Sequence, residues 1–456
     1  MKNTLRSTLC AFFFVNMVCY GQLTNYFKKD NYSNYRILSK DQNHMIVAAK
    51  KRYTYKDPSH RFDILKIYMT LEKKTEVLKG IIPKYKDQDG SYVSSVNVNG
   101  RYFIVMKYVF SSVSAEVVLY EFDYSGHIKS KKIIFDQGRS NDVSVVGFKS
   151  SSDNKSLIIY RRYNNQLYYN VFDLESSTVT KENHLYVPYL TSSFRLISVD
   201  GQLFYLVHYV GDNIWIHTIK DNWIDQTDKI EANVFESCNY NYKVDGNTLY
   251  LLSGTKYLNF DYMVGISAYK INPGQEIRST FHEFTKEDFD LIQFQRKSYT
   301  YFDHYDTDVQ RKLVQTKNNL ILTWGLQTGT TEQQTVSLWF DKSDMSLVNQ
   351  QMIPRKINDK KYFSNVSTYV INDEVRGFYY DYPTNLSEKD YSKRKAVKAV
   401  KSASLIDYTQ TVNKVVTKDS GKQKILPDDG DVYQYDDFVA IMCHKGKKAY
   451  WKIINK

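Results

Sequence analysis

The chain has 456 residues, 42% hydrophobic and 25% charged, and this balance excludes a disordered or fibrous protein. Its formal net charge of +12 indicates that its partners have acidic surfaces, or else that the protein has an evenly basic, soluble surface. With 40 Tyr, 24 Phe and only 7 Pro, the composition favours β-strands over helices.

The N-terminus has the pattern of a secretory signal peptide over residues 1–21. Lys2 and Arg6 precede an apolar core at 9–18, and Cys19 and Gly21 supply small residues at the −3 and −1 positions of a cleavage site. A core of this length is too short to span a bilayer, which argues against a membrane anchor. We therefore expect a mature chain that begins near Gln22, is soluble and exported, and has no transmembrane segment.

Two of the four cysteines, Cys10 and Cys19, lie in the predicted signal peptide. Cys238 and Cys443 remain in the mature chain, and two cysteines do not make a disulfide framework in a chain of this length. The repeat described next places them far apart, so the sequence predicts two free thiols.

Short apolar runs separated by turn residues return along the whole mature chain. Asn99-Gly100, Asp200-Gly201 and Asp245-Gly246 each connect two such runs, and Asn-Gly and Asp-Gly are the dipeptides that type I′ β-hairpin turns favour. Aligned on this turn, the chain shows eight hairpins about 55 residues apart. They occupy residues 36–49, 96–106, 146–160, 196–207, 242–252, 313–324, 368–380 and 432–442.

Most hairpins are followed by a third, aromatic-rich strand and then a fourth strand. The segments 116–126 and 127–135 are one example. The repeating unit is therefore four antiparallel strands, here called a to d in chain order. One such sheet cannot bury both of its faces, whereas neighbouring sheets packed face to face can.

A four-stranded unit of this length, repeated about eight times, resembles the blade of a β-propeller. The resemblance covers nearly all of residues 22–456 as a single domain, and it is one of repeat shape, because no WD dipeptide or kelch glycine pair accompanies it. It implies an all-β fold with eight blades, or seven if one repeat is misassigned. Tandem β-sandwiches are the competing architecture.

The two ends of the chain fit the ring closure that the resemblance implies. The last repeat has strands a, b and c, the third at 448–454, and then the chain ends. The spare segment 22–33 precedes the first repeat, so we expect this N-terminal strand to complete the last blade.

Two repeats carry long insertions, at 283–311 and 381–402. In propellers the d–a and b–c loops share the face that usually binds ligands, and the resemblance places both insertions there. Amphipathic rings beside cations suit contact with protein or glycan. The candidate binding residues are Tyr299, Tyr301, Phe302, His304, Tyr305, Tyr379, Tyr380, Tyr382, Lys393, Arg394 and Lys395. The alternative is that the insertions pack on themselves or stay disordered.

Motifs for catalysis and metal binding are sparse. Asp303, Asp306 and Asp308 offer oxygen ligands that suit Ca²⁺, but their spacing does not match an EF-hand loop. The sequence HEFTKE at 282–287 has Lys286 where a zinc protease has its second His, and no G-x-S-x-G elbow occurs. No cofactor is predicted apart from this weak calcium candidate. Nucleic acid is not an expected partner, because the aromatic residues follow strand periodicity.

These observations lead to a functional hypothesis with two alternatives. The hypothesis is an exported, non-catalytic β-propeller that acts as a protein-binding scaffold in a bacterial envelope, either periplasmic or associated with the outer membrane. One version is a soluble subunit of an outer-membrane transport or motility machine. The alternatives are a hydrolase or lyase acting on a glycan, and a surface glycan-binding protein, for which an anionic glycan is a candidate ligand.

Overall fold

The computed structural model describes most of the chain from Thr24 to Lys456. The described residues are 24–28, 32–40, 44–51, 62–68, 75–78, 85–88, 90–98, 101–111, 114–123, 127–135, 145–180, 183–191, 194–211, 213–230, 240–256, 262–283, 285, 302–303, 312–328, 332–353, 366–388, 393–397, 403–423, 426–434, 438–445 and 448–456. The predicted signal peptide and Cys238 lie outside these residues.

The chain divides into two compact units. Unit 1 comprises Met1–Lys29, Thr285–Lys342 and Leu347–Lys456, and unit 2 comprises Asp30–Phe284 and Ser343–Ser346. Nearly all of the regular structure in the described residues is β-strand, and the longest α-helix among them has four residues.

Unit 2 contains five antiparallel sheets, each built from consecutive strands. Sheet I has β2 (Tyr32–Lys40), β3 (His44–Lys51), β4 (Phe62–Tyr68) and β5 (Thr75–Leu78). Sheet II has β6 (Ser91–Val98), β7 (Arg101–Ser111), β8 (Ser114–Phe122) and β9 (Ile128–Phe135). Sheet III has β10 (Val145–Ser150), β11 (Ser156–Tyr163), β12 (Gln166–Asp173), β13 (Thr178–Val179) and β14 (Asn183–Tyr186).

The remaining two sheets of unit 2 follow the same order. Sheet IV has β15 (Phe194–Ser198), β16 (Leu203–Val210), β17 (Asn213–Lys220) and β18 (Trp223–Ile230). Sheet V has β19 (Tyr240–Asp245), β20 (Thr248–Lys256), β21 (Tyr262–Ile271) and β22 (Arg278–Glu283).

Unit 1 contains three antiparallel sheets and the two-residue strand β23 (Phe302–Asp303). Sheet VI has β24 (Lys312–Gln315), β25 (Asn319–Thr328), β26 (Glu332–Asp341) and β27 (Leu347–Ile353). Sheet VII has β28 (Ser367–Ile371), β29 (Glu374–Asp381), β30 (Ser404–Thr411) and β31 (Lys414–Asp419), with helix α1 (Pro383–Leu386) between β29 and β30. Sheet VIII has β32 (Leu426–Gln434), β33 (Phe438–Lys445), β34 (Lys448–Asn455) and β1 (Thr24–Lys28).

The predicted all-β repeat fold, with β-propeller blades as its unit, is confirmed. Within the described residues the strands form eight sheets, and each of the eight predicted hairpins supplies the first two strands of one sheet. Sheet III differs from the expected unit, because its fourth strand is split into β13 and β14, which pair with opposite ends of β12. The number of blades in a closed ring stays a prediction.

The N-terminal strand completes the last sheet, as the sequence predicts. β1 pairs antiparallel with β34, with Thr24 opposite Trp451 and Lys28 opposite Lys448. The segment 22–33 is shared, however, because Tyr32 and Ser33 already belong to β2 and pair with β3 in sheet I.

Tight turns of left-handed backbone join the strands of several hairpins. Asn372 and Asp373 between β28 and β29 have φ of 51° and 64°, as a type I′ turn requires. Gly246 between β19 and β20 has φ of 54°, a conformation that glycine adopts without steric cost. These turns are local features, which is why the sequence locates them.

Apolar side chains on both faces of the sheets hold neighbouring sheets together. Sheets II and III share a core that includes Phe103, Leu157 and Phe172, all at most 1% exposed. Further cores of the same kind join sheets III and IV, sheets IV and V, and sheets VII and VIII. Burying one such side chain contributes about 1.5–3 kcal/mol, so these inter-sheet cores dominate the stability of each unit.

Cys443 is a buried thiol in β33 and packs in the core between sheets VII and VIII. Its Sγ lies 3.7 Å from the carbonyl oxygen of Ile441, to which it donates a weak hydrogen bond. This position, near the end of the second strand of its repeat, is the one that the sequence indicates.

Gly377 in β29 lies under an aromatic ring, and this offers a test of the packing in unit 1. Gly377 is opposite Tyr408, whose hydroxyl donates to the carbonyl oxygen of Ser367 at 3.1 Å. A Cβ at Gly377 would lie 1.8 Å from that carbonyl oxygen and 2.5 Å from the Tyr408 ring. We expect Gly377→Ala to lower the free energy of unfolding by about 1–3 kcal/mol or more in urea denaturation.

Gly201→Ala is the matched control, because the nearest atom to a Cβ there is 3.5 Å away. Equal stability of both variants would contradict the close packing of Tyr408 on β29.

Candidate binding surface

One end of sheet III carries two rows of side chains that are in register across three strands. Tyr163 on β11 is opposite Gln166 on β12, which is opposite Tyr186 on β14. The second row is Arg161, Tyr168 and His184, on the same three strands. Directly opposed residues of antiparallel strands point to the same face, and so do residues two apart on one strand. All six side chains therefore share one face, and we call this group the aromatic patch.

The outer row of the aromatic patch is open to solvent. Tyr163 is 41% exposed and Tyr186 is 64% exposed, and Gln166 between them is partly exposed. Adjacent strands are about 4.7–4.9 Å apart, so the two tyrosines stand roughly 10 Å from each other. Exposed rings at that spacing offer apolar area and hydroxyl groups to one ligand.

Contacts of the second row with neighbouring side chains hold the aromatic patch in a fixed conformation. The Arg161 guanidinium is buried between two rings, with its Cζ 5.0 Å from the centroid of Phe135 and 4.7 Å from that of Tyr168. Tyr168 in turn stacks on the exposed imidazole of His184, with centroids 6.1 Å apart, and its hydroxyl donates to the Gln166 side chain. Cation–π contacts of this kind contribute about 0.5–2 kcal/mol each and fix the rings before a ligand arrives.

The loop after β14 adds a further exposed ring to the same end of the sheet. Tyr189 is 66% exposed and has φ of 57°, a left-handed conformation that is uncommon for a tyrosine. The amide of Val187 donates to the carbonyl oxygen of Asn165 at 2.8 Å, which ties this loop to the β11–β12 turn. No motif in the sequence predicts this surface, because tyrosines occur in every repeat and periodicity does not separate exposed rings from core rings.

Several candidate binding residues in and beside the second insertion are buried, although the sequence predicts them on a binding surface. Tyr379 and Tyr380 are 0% and 3% exposed, and Tyr380 packs in the core between sheets VII and VIII. Arg394 is also buried, and its Nε and one terminal nitrogen donate to the carbonyl oxygen of Glu388 at 3.0 and 2.8 Å. The strand and the insertion therefore use these three side chains for packing, and their binding role stays a prediction.

Lys393 and Lys395 are exposed and Tyr382 is partly buried, so their proposed binding role stays a prediction. The insertion around them is folded onto the sheet. The Asn385 amide donates to the Asp381 carboxylate at 2.6 Å and to the Lys395 carbonyl oxygen at 2.8 Å, and Val397 is buried in the core of sheets VII and VIII. The described part of this insertion therefore packs on itself, as in the stated alternative, and also on the neighbouring sheets.

Most candidate residues of the first insertion lie outside the described residues. These are Tyr299, Tyr301, His304, Tyr305, Asp306 and Asp308, while Phe302 and Asp303 form β23. In the described part of the chain, no group of three or more His, Cys, Asp or Glu is arranged to hold a metal ion. The calcium candidate at Asp303, Asp306 and Asp308 stays a prediction.

Sheet IV contains a buried pair of histidines. His208 on β16 and His217 on β17 are at most 1% exposed, and their Nε2 atoms are 3.0 Å apart. Their ring centroids are 5.2 Å apart, so both nitrogens lie nearly on the line between the rings. A metal ion between the two rings would need about 2.0–2.1 Å to each nitrogen, and the 3.0 Å between the Nε2 atoms is too short for that.

The hydrogen bonds of the pair indicate which nitrogens carry protons. His217 Nδ1 lies 2.8 Å from the Thr227 hydroxyl, whereas His208 Nδ1 is buried without a hydrogen-bond partner. An unpaired buried N–H is rarer than an unpaired acceptor, so we assign the proton of His208 to Nε2, which donates to His217 Nε2. The pKa of both imidazoles is lowered to about 4; burial is the main cause, and for His208 the charges of His217 and Arg162 contribute to the shift.

The shifted carboxylates of the described residues do not resemble general acids. For Glu121, burial on its own raises the pKa, but the hydrogen bonds and charge of Arg101, together with Lys129 and Ser130, outweigh it, and the net direction is downward. Hydrogen bonds from Ser176 and Ser346 lower the pKa of Asp173 and Asp344. A general acid needs the opposite shift, towards a pKa near neutral.

Comparison with known proteins yields matches only among solved structures. No family model matches the chain, and no curated protein matches it. The chain is 7% identical to the Dos1 propeller, and the match covers 96% of both chains with a TM-score of 0.48. It is 8% identical to the WD40 domain of SCAP from fission yeast, and that match covers 96% of this chain and 98% of that one with a TM-score of 0.44. It is 9% identical to prolyl oligopeptidase B from Galerina marginata, over 92% of this chain and 56% of that one, with a TM-score of 0.39. The fold assignment rests on the sheets described above.

The histidine pair predicts a specific acid sensitivity. Because the folded-state pKa of about 4 lies below the ordinary value of about 6.5, the unfolded chain binds protons more readily, and stability falls as the pH drops from about 6.5 to 4. At pH 5 the loss is about 2 kcal/mol for each histidine. Urea denaturation at pH 7.5 and 5.0 should show a smaller loss in His208→Leu than in the wild-type protein.

His127→Gln is the control for this experiment, because the His127 side chain is 81% exposed. A wild-type stability that does not change between the two pH values, or a His208→Leu variant with the same loss as His127→Gln, would contradict the assignment.

Proposed function

We propose that this chain is a non-catalytic binding protein that docks another protein through the aromatic patch. The observation that carries the proposal is the solvent-exposed row of Tyr163 and Tyr186 above the fixed Arg161 and Tyr168. Tyrosine and arginine are enriched among the residues that dominate protein interfaces, since they combine large contact area with hydrogen bonding at low entropic cost. The ordered second row reduces the side-chain entropy that binding would otherwise cost.

The partner that we propose is another envelope or secreted protein. The signal peptide pattern at residues 1–21 and the basic net charge support this setting. A soluble subunit of an outer-membrane transport or motility machine is the finer version of the same proposal. Among the described residues no helix is long and apolar enough to cross a bilayer.

The proposed export has a direct test. Mass spectrometry of the protein from fractionated cells should find an envelope or secreted form whose N-terminus is near Gln22, because cleavage after Gly21 matches the small-residue rule. A full-length chain confined to the cytoplasm would overturn the proposed location. The docking proposal for the aromatic patch does not depend on this result.

The docking proposal is tested by the double variant Tyr163→Ser, Tyr186→Ser. Wild-type and variant mature chains are immobilised, exposed to envelope extract and compared by quantitative mass spectrometry, after circular dichroism shows that both are folded. We expect at least one captured protein to fall about tenfold or more in the double variant, because truncating anchor residues typically costs 2 kcal/mol or more.

Trp223→Ser is the matched control, because Trp223 is 75% exposed at the β17–β18 turn of sheet IV, outside the patch. A capture profile that is the same for the wild type, the double variant and the control would overturn the docking role of the patch.

Glycan binding is the second candidate, and one observation favours it. The six patch residues include two exposed tyrosine rings on antiparallel strands and no carboxylate, which is the arrangement of an aromatic platform without hydrolytic machinery. A glycan array probed with the same three proteins decides between the candidates: glycan binding that is lost only in the double variant replaces the protein partner.

A further inference from the structure

The first strands of the five sheets in unit 2 form a second surface with its own character. These inner strands are β2, β6, β10, β15 and β19, and β2 contacts β6, β6 contacts β10, and β10 contacts β15. Arg195 of β15 reaches β19, where it contacts two tyrosine rings. The inner strands therefore form one continuous row.

The described side chains of the inner strands are biased towards positive charge. Among them Lys149, Arg195 and Lys243 are cations and Asp245 is the anion, which gives a net charge of +2. Asp245 is the last residue of β19, beside the turn at Gly246, whereas Arg195 is near the opposite end of its strand. A surface with this bias attracts anions and raises their local concentration.

Arg195 is the best-defined cation of this row. Its side chain is exposed, and its Cζ lies 5.1 Å from the centroid of the Tyr240 ring and 5.7 Å from that of Tyr242. Among the described residues no carboxylate forms an ion pair with it. A guanidinium has five N–H donors, and the contacts with ring faces leave most of them directed to solvent.

The surrounding tyrosines supply neutral hydroxyl groups to the same place. Burial raises the pKa of Tyr160 to about 12, and it also raises the pKa values of Tyr240 and Tyr242, while the charge of Arg195 partly opposes all three shifts. These phenols stay protonated near neutral pH. On the other face of β15, Tyr160 packs on Phe194, the residue before Arg195, with ring centroids 5.6 Å apart.

We propose that Arg195, flanked by Tyr240 and Tyr242, is a binding site for a carboxylate group. The planar guanidinium fork matches the two oxygens of a carboxylate in a bidentate pair, and the cation–π contacts position the fork before the ligand arrives. A single arginine balances one negative charge, which a carboxylate carries and a doubly charged phosphate exceeds. The site lies in sheets IV and V, whereas the aromatic patch lies in sheet III, so it goes beyond the proposed docking function.

The carboxylate can belong to a small molecule or to an acidic peptide segment, and the test separates them. Binding of glutarate, of a hexaglutamate peptide and of inorganic phosphate to the mature chain is measured by isothermal titration calorimetry at about 50 mM salt, where screening is modest. We expect carboxylate binding to be stronger than phosphate binding. Tighter binding of hexaglutamate than of glutarate at equal carboxylate concentration assigns the site to acidic peptides, and the reverse order assigns it to small carboxylates.

Variants show whether Arg195 is responsible. Arg195→Gln should weaken carboxylate binding about tenfold or more, because a charge-assisted hydrogen bond is worth about 1.5–3 kcal/mol. Arg195→Lys keeps the charge but loses the fork, so it should bind more weakly than the wild type and more tightly than Arg195→Gln. Arg195→Lys also serves as the test variant if Arg195→Gln does not fold.

Arg278→Gln is the control, because Arg278 is an exposed arginine on β22, outside the inner strands. It should change the affinity less than about twofold, as expected for a distant surface charge. Preferential phosphate binding, no binding of either carboxylate, or equal losses in Arg195→Gln and Arg278→Gln would each overturn the proposal.

Discussion

The structure depends on the burial of sheet faces against neighbouring sheets. On β15 the successive residues Leu196 and Ile197 point in opposite directions, the first into the core shared with sheet III and the second into the core shared with sheet V. On β28 Val370 and Ile371 likewise enter two different cores. A strand that is apolar on both sides is stable only between two other sheets, because an uncovered face would expose its apolar side chains to water, which is unfavourable.

This constraint determines where function can be located. Since the faces of the sheets are occupied by packing, the side chains that remain available are at strand ends, on outer strands and in loops. The aromatic patch fits this rule, because it lies at the β11–β12 turn and on the short outer strand β14. The splitting of the fourth strand of sheet III into β13 and β14 coincides with the exposed rings of Tyr186 and Tyr189.

Buried polar groups in the two units have different roles. Glu121 is 3% exposed and is paired with Arg101, whose guanidinium also donates to the carbonyl oxygen of Leu174 and so links sheet II to a turn of sheet III. The His208–His217 pair forms no ion pair with any carboxylate in the described parts of the chain, and burial favours its neutral form. In unit 1, the Thr368 hydroxyl donates to that of Thr323 at 3.2 Å, and this hydrogen bond joins sheets VI and VII.

The sequence alone determined the repeat, the hairpins and the use of an N-terminal strand to complete the last sheet. These depend on turn residues such as Asp245-Gly246 and on alternation along each strand, which are local properties. Only the tertiary structure decided which tyrosines are buried. Tyr380 and Tyr186 both lie at the ends of aromatic strands, yet one is 3% and the other 64% exposed, because a neighbouring sheet and a folded insertion cover the first and nothing described covers the second. Burial depends on what the next sheet places opposite a side chain, and that information is not contained in the repeat itself.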